Sequence, residues 1–283
     1  MKKILRYTIL SLLACITPMA SCDKIQDGQR TIFAGAAGKW VDGQGVEDHS
    51  QRIFLEKYTG PRCPNCPRAD KVIAEALTKY NGTLIAVSVH DSSYFGKPYG
   101  SALDLRTADG NIWSSFFGLR DAEKPIALIN RNKAGEAFTQ YQPASNMDSY
   151  FDTELYRSAT IAIDARATME NGTMNIDVNL EFLLDVALPL TLTALIIEDG
   201  LITTQNDNGN MDTAYVNNHI LRDVITDVWG VDVDADGKAG TKRFVRFTYQ
   251  PSGDLKLENC HIVAFVSDKA SRHILNTAET DIK

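Results

Sequence analysis

The sequence lacks an excess of basic residues. It has 29 Lys and Arg residues against 36 Asp and Glu residues, a formal net charge of -7 and an isoelectric point near 5.3. A protein that binds nucleic acid neutralises phosphates with a basic face, and this composition does not favour such a face. We therefore expect no nucleic-acid partner.

The sequence also lacks the long apolar runs of a membrane bundle. Its hydrophobic content is 44% and its charged content is 23% over 283 residues. This composition is sufficient for a buried core and too apolar for a disordered chain. Because domains usually span about 100 to 200 residues, the length predicts two soluble domains.

The N-terminus has the features of an export signal. Lys2, Lys3 and Arg6 form a positive start, an apolar run over 7–18 is too short to cross a bilayer, and small residues precede Cys22. The ending "PMASC" resembles a bacterial lipobox, in which the cysteine is acylated. We expect residues 1–22 to be a lipoprotein signal peptide and Cys22 to anchor the protein in a membrane; the alternative is an ordinary signal peptide.

Cysteine is scarce, so each of the five cysteines can be considered separately. Cys15 leaves with the signal peptide and Cys22 carries the lipid. Cys63, Cys66 and Cys260 then remain in an oxidising compartment outside the cytoplasm. Cys260 lies in "LENCHIVAFV", a predicted strand, where a buried thiol that packs as a small apolar group is expected.

Hydrophobic periodicity divides the rest of the chain into three segments. Residues 23–50 are rich in Gly, Gln and Asp and predict a tether that leads to short extended pieces near Trp40. Residues 51–158 predict the order β-α-β, α, β-β-α, with a last helix over 145–157 that turns Tyr150 inward. Residues 159–283 alternate with a period of two and predict an antiparallel β-sandwich, interrupted by an insertion over 200–240 with a helical or folded-back piece.

The segment "GPRCPNCPRA" places Cys63 and Cys66 at the first strand-to-helix junction. This order, with a C-x-x-C pair at the helix start and Pro125 opening a later strand, resembles the thioredoxin fold. The helix N-terminus favours a thiolate at Cys63, so Cys63 would be the nucleophile and Cys66 would resolve the mixed disulfide. The resemblance implies that Pro125 is a cis proline that positions the backbone of a bound peptide.

Three features depart from the thioredoxin pattern. Lys57 stands where thioredoxins keep a buried carboxylate, and its neighbour Glu56 would point to the opposite face of the strand. Pro67 removes an early helix donor. Arg62 replaces the usual aromatic residue and could itself stabilise a thiolate.

The thiol pair has two other interpretations. A zinc site needs four ligands, and neither a second C-x-x-C nor a close His partner is present in the sequence. A structural disulfide without turnover is the stronger alternative, because an oxidising compartment closes a C-x-x-C pair whatever its role.

Further segments narrow the resemblance. "FLEKYTGPRCPNCPRA", "VSVHDSSYF", "LDLRTADG", "KPIALINR" and "YVNNHILRDVITDVWG" together resemble the twenty-eight-kilodalton outer-membrane protein family of Gram-negative bacteria. The resemblance covers most of the chain from Arg52 onward, and Pro67 fits it. It implies a secreted lipoprotein of the cell outer membrane with an α/β thioredoxin-like domain followed by an all-β antiparallel sandwich. It implies a candidate thiol site but no substrate.

Three other places have residues that can carry chemistry. His90 ends the second predicted strand, where a lone His is usually structural. Asp232, Asp234 and Asp236 have the spacing of a calcium loop, but Arg243 stands at the twelfth position, so a solvated acidic turn is favoured over a metal site. His219 and Arg222 would share one face of a helix in the insertion, in a capping or packing role.

Taken together, the residues predict thiol-disulfide exchange on exported proteins that carry thiols or disulfides, by Cys63, Cys66 and Pro125 and without a cofactor. The alternative is a surface binding or adhesion module in which Cys63 and Cys66 form a structural disulfide. A buried Cys63 would favour the alternative, whereas a thiolate that titrates below neutral pH would favour the enzyme.

Overall fold

The computed structural model describes residues 38–143 and 147–283. The predicted signal peptide, Cys22 and the first part of the tether lie outside the described residues. Among the residues described, no helix is both long enough and apolar enough to cross a membrane.

Within residues 38–143 and 147–158, the chain mixes short strands with three helices. In chain order its elements are β1 (Val41–Asp42), β2 (Ile53–Thr59), α1 (Cys66–Lys79), β3 (Leu84–His90), α2 (Ala108–Phe116), β4 (Ile126–Ile129), β5 (Lys133–Ala134), β6 (Ala137–Phe138) and α3 (Asp148–Leu155).

The second half is built from strands and one short 3-10 helix, Leu257–Asn259. Its strands are β7 (Ile161–Glu170), β8 (Thr173–Phe182), β9 (Leu190–Glu198), β10 (Leu201–Asp207), β11 (Asn210–Asn217), β12 (Ile220–Val224), β13 (Val231–Asp232), β14 (Lys242–Tyr249), β15 (Cys260–Asp268) and β16 (Ile274–Asp281).

Two sheets face each other in a sandwich. One has four strands in the order β1-β14-β8-β7, and the other has the order β16-β15-β9-β12-β3-β2-β4 with β13 also paired to β9. Alternating residues of β7 and β8 are buried, as expected for strands with one face on a core. The molecule is therefore mostly β structure with sandwich-like sheets.

The larger sheet joins strands from both halves of the chain. β2 and β3 are parallel, β4 is antiparallel to β2, and β12 pairs in parallel with β3 at Ile220 and Ser88. β12 also pairs antiparallel with β9. The division into segments 51–158 and 159–283 stays a prediction, and one continuous sheet runs across it.

Helices cover both faces of the β3-β2-β4 part of this sheet. On one face α1 and α3 bury Ile73, Ala76 and Phe151 against the strands. On the other face α2 buries Trp113, whose Nε1 donates to the Val228 carbonyl oxygen at 2.9 Å. Strands β2 and β3 are consequently buried at every position, which matches their continuous apolar sequences.

Of the two forms expected within 200–240, helical or folded-back, the structure has the folded-back one, because β10 and β11 form a hairpin and β12 joins the sheet. Tyr150 was expected to turn inward but is 47% exposed. Strand β16 was not predicted, although its sequence "ILNTAETD" pairs with β15 along its length.

Candidate functional site

The predicted thiol pair forms a disulfide between Cys63 and Cys66. It lies in the segment Gly60–Cys66, here called the disulfide loop, which connects β2 to α1. Cys66 is the first residue of α1, and Pro67 lies in the first helical turn, where a backbone donor has no partner within the helix. The proline therefore fits the helix start without breaking it.

Both cysteines are buried: the exposed fraction is 0% for Cys63 and 1% for Cys66. The β10–β11 hairpin, at the start of the 200–240 insertion, lies over the disulfide loop. The Gln205 side-chain amide donates to the Cys63 carbonyl oxygen at 2.9 Å, and Gln205 itself is 3% exposed. In this arrangement an external thiol has no access to Cys63.

Two main-chain hydrogen bonds also join the β10–β11 hairpin to the disulfide loop. The backbone N–H of Asn206 donates to the Pro61 carbonyl oxygen at 2.8 Å, and that of Asn208 donates to the Pro64 carbonyl oxygen at 3.0 Å. The loop carbonyls therefore find their partners in a segment more than 140 residues further along the chain. Sequence spacing alone does not reveal such a contact.

The other side of the disulfide loop packs on residues 94–99. A Cβ atom on Gly60 would lie 2.2 Å from the Phe95 carbonyl oxygen, so only glycine fits there. The Arg62 guanidinium donates to the Lys97 and Pro98 carbonyl oxygens and lies over the Tyr99 ring, 4.8 Å from its centroid. These contacts direct Arg62 to the neighbouring loop.

A partly buried polar cluster lies beside the helix that carries Cys66. Lys57 forms an ion pair with Asp70, which lies one helical turn beyond Cys66. The Tyr215 hydroxyl, from β11, donates to the other Asp70 oxygen at 2.7 Å. Burial lowers the pKa of Lys57 to about 7. The carboxylate near the thiols is therefore on the helix and partly exposed, with the buried Lys57 as its partner on the strand.

His90 lies at the end of β3, opposite Thr59 in the register. It is 2% exposed, and neither ring nitrogen has a hydrogen-bond partner in the described part of the chain. Burial, reinforced by the charge of Lys57, lowers the pKa of His90 to about 3. The imidazole is therefore neutral at physiological pH.

Pro125 directly precedes β4, and the Lys124–Pro125 peptide bond is cis, as the thioredoxin resemblance implied. Ile126 pairs with Tyr58 near the end of β2 that leads into the disulfide loop. The sheet thus brings Pro125 to the same end as Cys63.

Asp232, Asp234 and Asp236, which have the spacing of a calcium loop, each contact a different side chain. Asp232 contacts the Lys269 ammonium at 2.8 Å, Asp234 contacts Arg243 at 3.3 Å, and Asp236 accepts from the Thr241 hydroxyl at 2.6 Å. Within residues 38–143 and 147–283, no group of three or more His, Cys, Asp or Glu side chains is arranged to hold a metal ion.

His219 and Arg222 do not share a helical face, because they lie at the start of β12 and within it. His219 adopts a left-handed backbone with φ of 58°, and its backbone N–H binds the Asp199 carboxylate. Arg222 forms ion pairs with Glu198 and Asp254. Both residues therefore fix the strand that follows the hairpin.

Cys260 is a buried free thiol, as predicted. The thiol donates to the Lys256 carbonyl oxygen at 3.2 Å. Burial raises the pKa of Cys260 to about 12, so this cysteine remains protonated and unreactive.

A cavity of about 480 Å³ lies at the far end of β4, and no sequence prediction included it. It lies between the segment after β4, helix α3 and the turn before β16, and its walls include Tyr141, Tyr150, Glu154 and His273. Tertiary contacts between distant segments create it, and no motif in the sequence marks it.

The structure defines a class of protein: mostly β, sandwich-like, with a disulfide loop covered by a hairpin from the second half of the chain. Residues 116–283 match the family model of the outer membrane protein Omp28. The chain therefore belongs to the Omp28 family of outer membrane proteins, and it is located at the outer membrane.

A solved structure shows the same fold at low sequence identity. HBP35 of Porphyromonas gingivalis is 17% identical, with a TM-score of 0.66 over 83% of this chain and 76% of that one. A protein from Agrobacterium tumefaciens is 14% identical, with a TM-score of 0.49 over 82% and 95% of the two chains.

A domain of the outer membrane lipoprotein Omp28 from Porphyromonas gingivalis is 19% identical, with a TM-score of 0.31 over 44% of this chain and 89% of that one. No curated protein matches the chain.

Proposed function

We propose that this protein is a lipid-anchored binding protein of the outer membrane, in which the Cys63–Cys66 disulfide is a structural staple. The observation that carries the proposal is the complete burial of Cys63 beneath the β10–β11 hairpin. A catalytic cysteine of an exchange protein has to be reached by a second sulfur atom. Cys63 is closed to such an approach.

The proposed architecture is a thioredoxin-like unit over 51–158 followed by a β-sandwich over 159–283. The parallel β2-α1-β3 unit supports the first part, together with the antiparallel β4 and the following helix α3. The packing of the four-stranded sheet against β9 and β15 supports the second. Acylation of Cys22 would hold both at the membrane, and the lipobox-like sequence "PMASC" supports this anchor.

A structural disulfide at this position has two physical effects. Closing so short a loop stabilises the folded state by about 2 kcal/mol through the lost entropy of the unfolded chain. It also fixes the Pro61, Cys63 and Pro64 carbonyl groups in the arrangement that the hairpin binds. The disulfide would therefore shape a surface as well as stabilise the fold.

The second candidate is the thiol-disulfide exchange predicted from the sequence. The position of the pair at the β2–α1 junction, at the same end of the sheet as Pro125, favours it. In the reduced protein the Cys63 thiolate would attack a disulfide of an exported protein and release one of its sulfurs as a thiolate. Cys66 would then displace the remaining sulfur and restore the intramolecular disulfide, and a dithiol donor would reduce the pair again. This cycle requires the hairpin to move.

A redox titration of the full chain separates the two candidates. The protein is equilibrated in a glutathione series, alkylated and analysed by mass, and a Cys66→Ser variant is used to trap mixed disulfides. We expect a reduction potential below about -300 mV and no trapped partner. A potential between about -270 and -120 mV, with Cys63-linked partners that are absent from a Cys63→Ser/Cys66→Ser control, would replace the staple with the exchange function.

A further inference from the structure

The disulfide loop presents main-chain acceptors to the segment that covers it. The Pro61, Cys63 and Pro64 carbonyl oxygens all accept hydrogen bonds from the segment Gln205–Asn208, here called the covering segment. Three of these four covering residues act as donors, two through their backbone and one through its side chain.

The backbone donors lie where β10 ends in its turn. Asn206 lies in β10, whereas Asn208 follows β10 and adopts a left-handed backbone with φ of 51°. Because the chain is extended through Asp207, the N–H groups of Asn206 and Asn208 point to the same side. Gln205 adds a carboxamide that also reaches the Gly60 carbonyl oxygen at 3.4 Å. The loop therefore binds the backbone N–H groups of a strand end and of the turn residue after it, together with one amide side chain, and main-chain hydrogen bonds of this kind can hold a peptide.

The cover is attached as a separate element. β10 and β11 pair with each other in a two-stranded sheet and not with either strand layer of the sandwich. Hairpins of two strands are marginally stable by themselves. The side chains of Ile202, Met211 and Val216 on this hairpin are 61%, 48% and 50% exposed.

Both ends of the hairpin are tight bends. Gly200 and His219 adopt left-handed backbone conformations with φ of 72° and 58°. The Asn218 side-chain oxygen accepts the Gly200 N–H at 2.9 Å, which ties the two ends together. Lifting the hairpin would break its contacts to the disulfide loop, to Asp70 and around Leu201, and would leave the pairing of β9 with β12 intact.

We propose that the disulfide loop is a docking surface for a segment of an exported polypeptide that presents a strand end and the turn after it, and that the covering segment occupies this surface until such a partner displaces it. The partner segment carries a Gln or Asn side chain followed by free backbone N–H groups one and three residues later. This inference rests on the proposed binding function and names its partner class. It does not depend on whether the disulfide turns over.

The test weakens the cover in the full chain and measures access to the disulfide. Gln205→Ala removes the amide donor, and Tyr215→Phe removes the bond to Asp70 while keeping the ring. The matched control is Gln140→Ala, at an exposed glutamine outside the hairpin. Reduction of Cys63–Cys66 by dithiothreitol is followed by alkylation and mass.

We expect Gln205→Ala to be reduced about tenfold faster than the wild type, as follows from the loss of a buried hydrogen bond. Tyr215→Phe should be reduced faster as well, and Gln140→Ala should match the wild type. If both hairpin variants are reduced at the wild-type rate, the covering segment does not control access and the proposal is overturned.

The docking surface itself is tested with a synthetic peptide that copies residues 203–209. The peptide should bind Gln205→Ala more tightly than the wild type and should slow reduction of the disulfide in that variant. The control peptide carries N-methyl groups at the positions of Asn206 and Asn208, which removes the two donors, and it should not bind. Equal binding of the two peptides, or binding without protection, would also overturn the proposal.

Failure of the docking inference is distinguishable from failure of the staple. If the disulfide is redox-active, the glutathione titration and the trapped partners detect it. If the docking surface does not exist, the peptide does not protect the disulfide from reduction. Either result can occur without the other.

Discussion

Arg131 and Glu56 form a buried bidentate ion pair, with both hydrogen bonds 2.7 Å long. The Arg131 guanidinium also lies 4.7 Å from the centroid of the Trp113 ring and 5.0 Å from that of Phe265. Glu56 and Lys57 are adjacent on β2 and point to opposite faces, one to this pair and the other to Asp70. One strand thus buries two charged side chains, each paired with an opposite charge.

Removal of one partner from the Arg131–Glu56 pair should destabilise the protein strongly. Arg131→Met leaves a buried carboxylate without a cation, and we expect the free energy of unfolding to fall by about 3–5 kcal/mol. The double variant Arg131→Met/Glu56→Leu should lose less than the single variant, because the uncompensated charge is gone. Urea denaturation of the three proteins measures both effects. Additive losses from the two substitutions would show that the charges do not interact.

His90 should make stability depend on pH in the acidic range. Its pKa in the folded protein is about 3, below the ordinary value of 6.5, because burial disfavours the imidazolium ion. Between these values the unfolded chain binds more protons, so the contribution of His90 to stability is present above pH 6.5 and is lost as the pH falls. The loss approaches about 1.4 kcal/mol per pH unit.

Urea denaturation at pH 7 and pH 5 tests this dependence. His90→Gln should lose less stability on acidification than the wild type, because glutamine does not titrate. His49, an exposed histidine, provides the control, and His49→Gln should retain the wild-type difference between the two pH values. If His90→Gln loses as much stability between pH 7 and pH 5 as the wild type does, other groups cause the acid sensitivity.

Cys22 should determine attachment to the membrane. Cys22→Ser removes the thiol that a lipid would modify, so we expect the variant to leave the membrane fraction after export. Cell fractionation and metabolic labelling with a fatty acid measure the two consequences. Cys260→Ser is the matched control and should remain labelled and membrane-bound. Membrane retention of Cys22→Ser without label would point to a second attachment.

Local sequence patterns predicted the elements around the thiol pair well. The apolar spacing from Ala69 to Tyr80 and the stop at Asn81-Gly82 correspond to α1, which ends at Lys79. The β-branched run "TLIAVSVH" corresponds to β3. These predictions succeeded because helix period, strand propensity and turn residues are all read within about ten positions.

Predictions failed where distant residues decide the structure. The segment "YVNNHILRDVITDVWG" has apolar residues at helical spacing, yet β9 and β3 offer Ile220 and its neighbours strand pairing on both sides. The burial of Cys63 depends in the same way on Gln205, 142 positions away. No local rule contains such contacts, and the choice between exchange and staple depends on them.

Strand β12 has a consequence for how the protein reaches its location. β3 lies beside β12 through the pairing of Ser88 with Ile220, which are separated by 132 positions in the sequence. A chain that emerges from the export machinery N-terminus first therefore leaves one apolar edge of β3 unpaired until β12 has also crossed the membrane. Such an edge invites aggregation in transit. A holding chaperone in the envelope would have to protect the nascent chain during this interval.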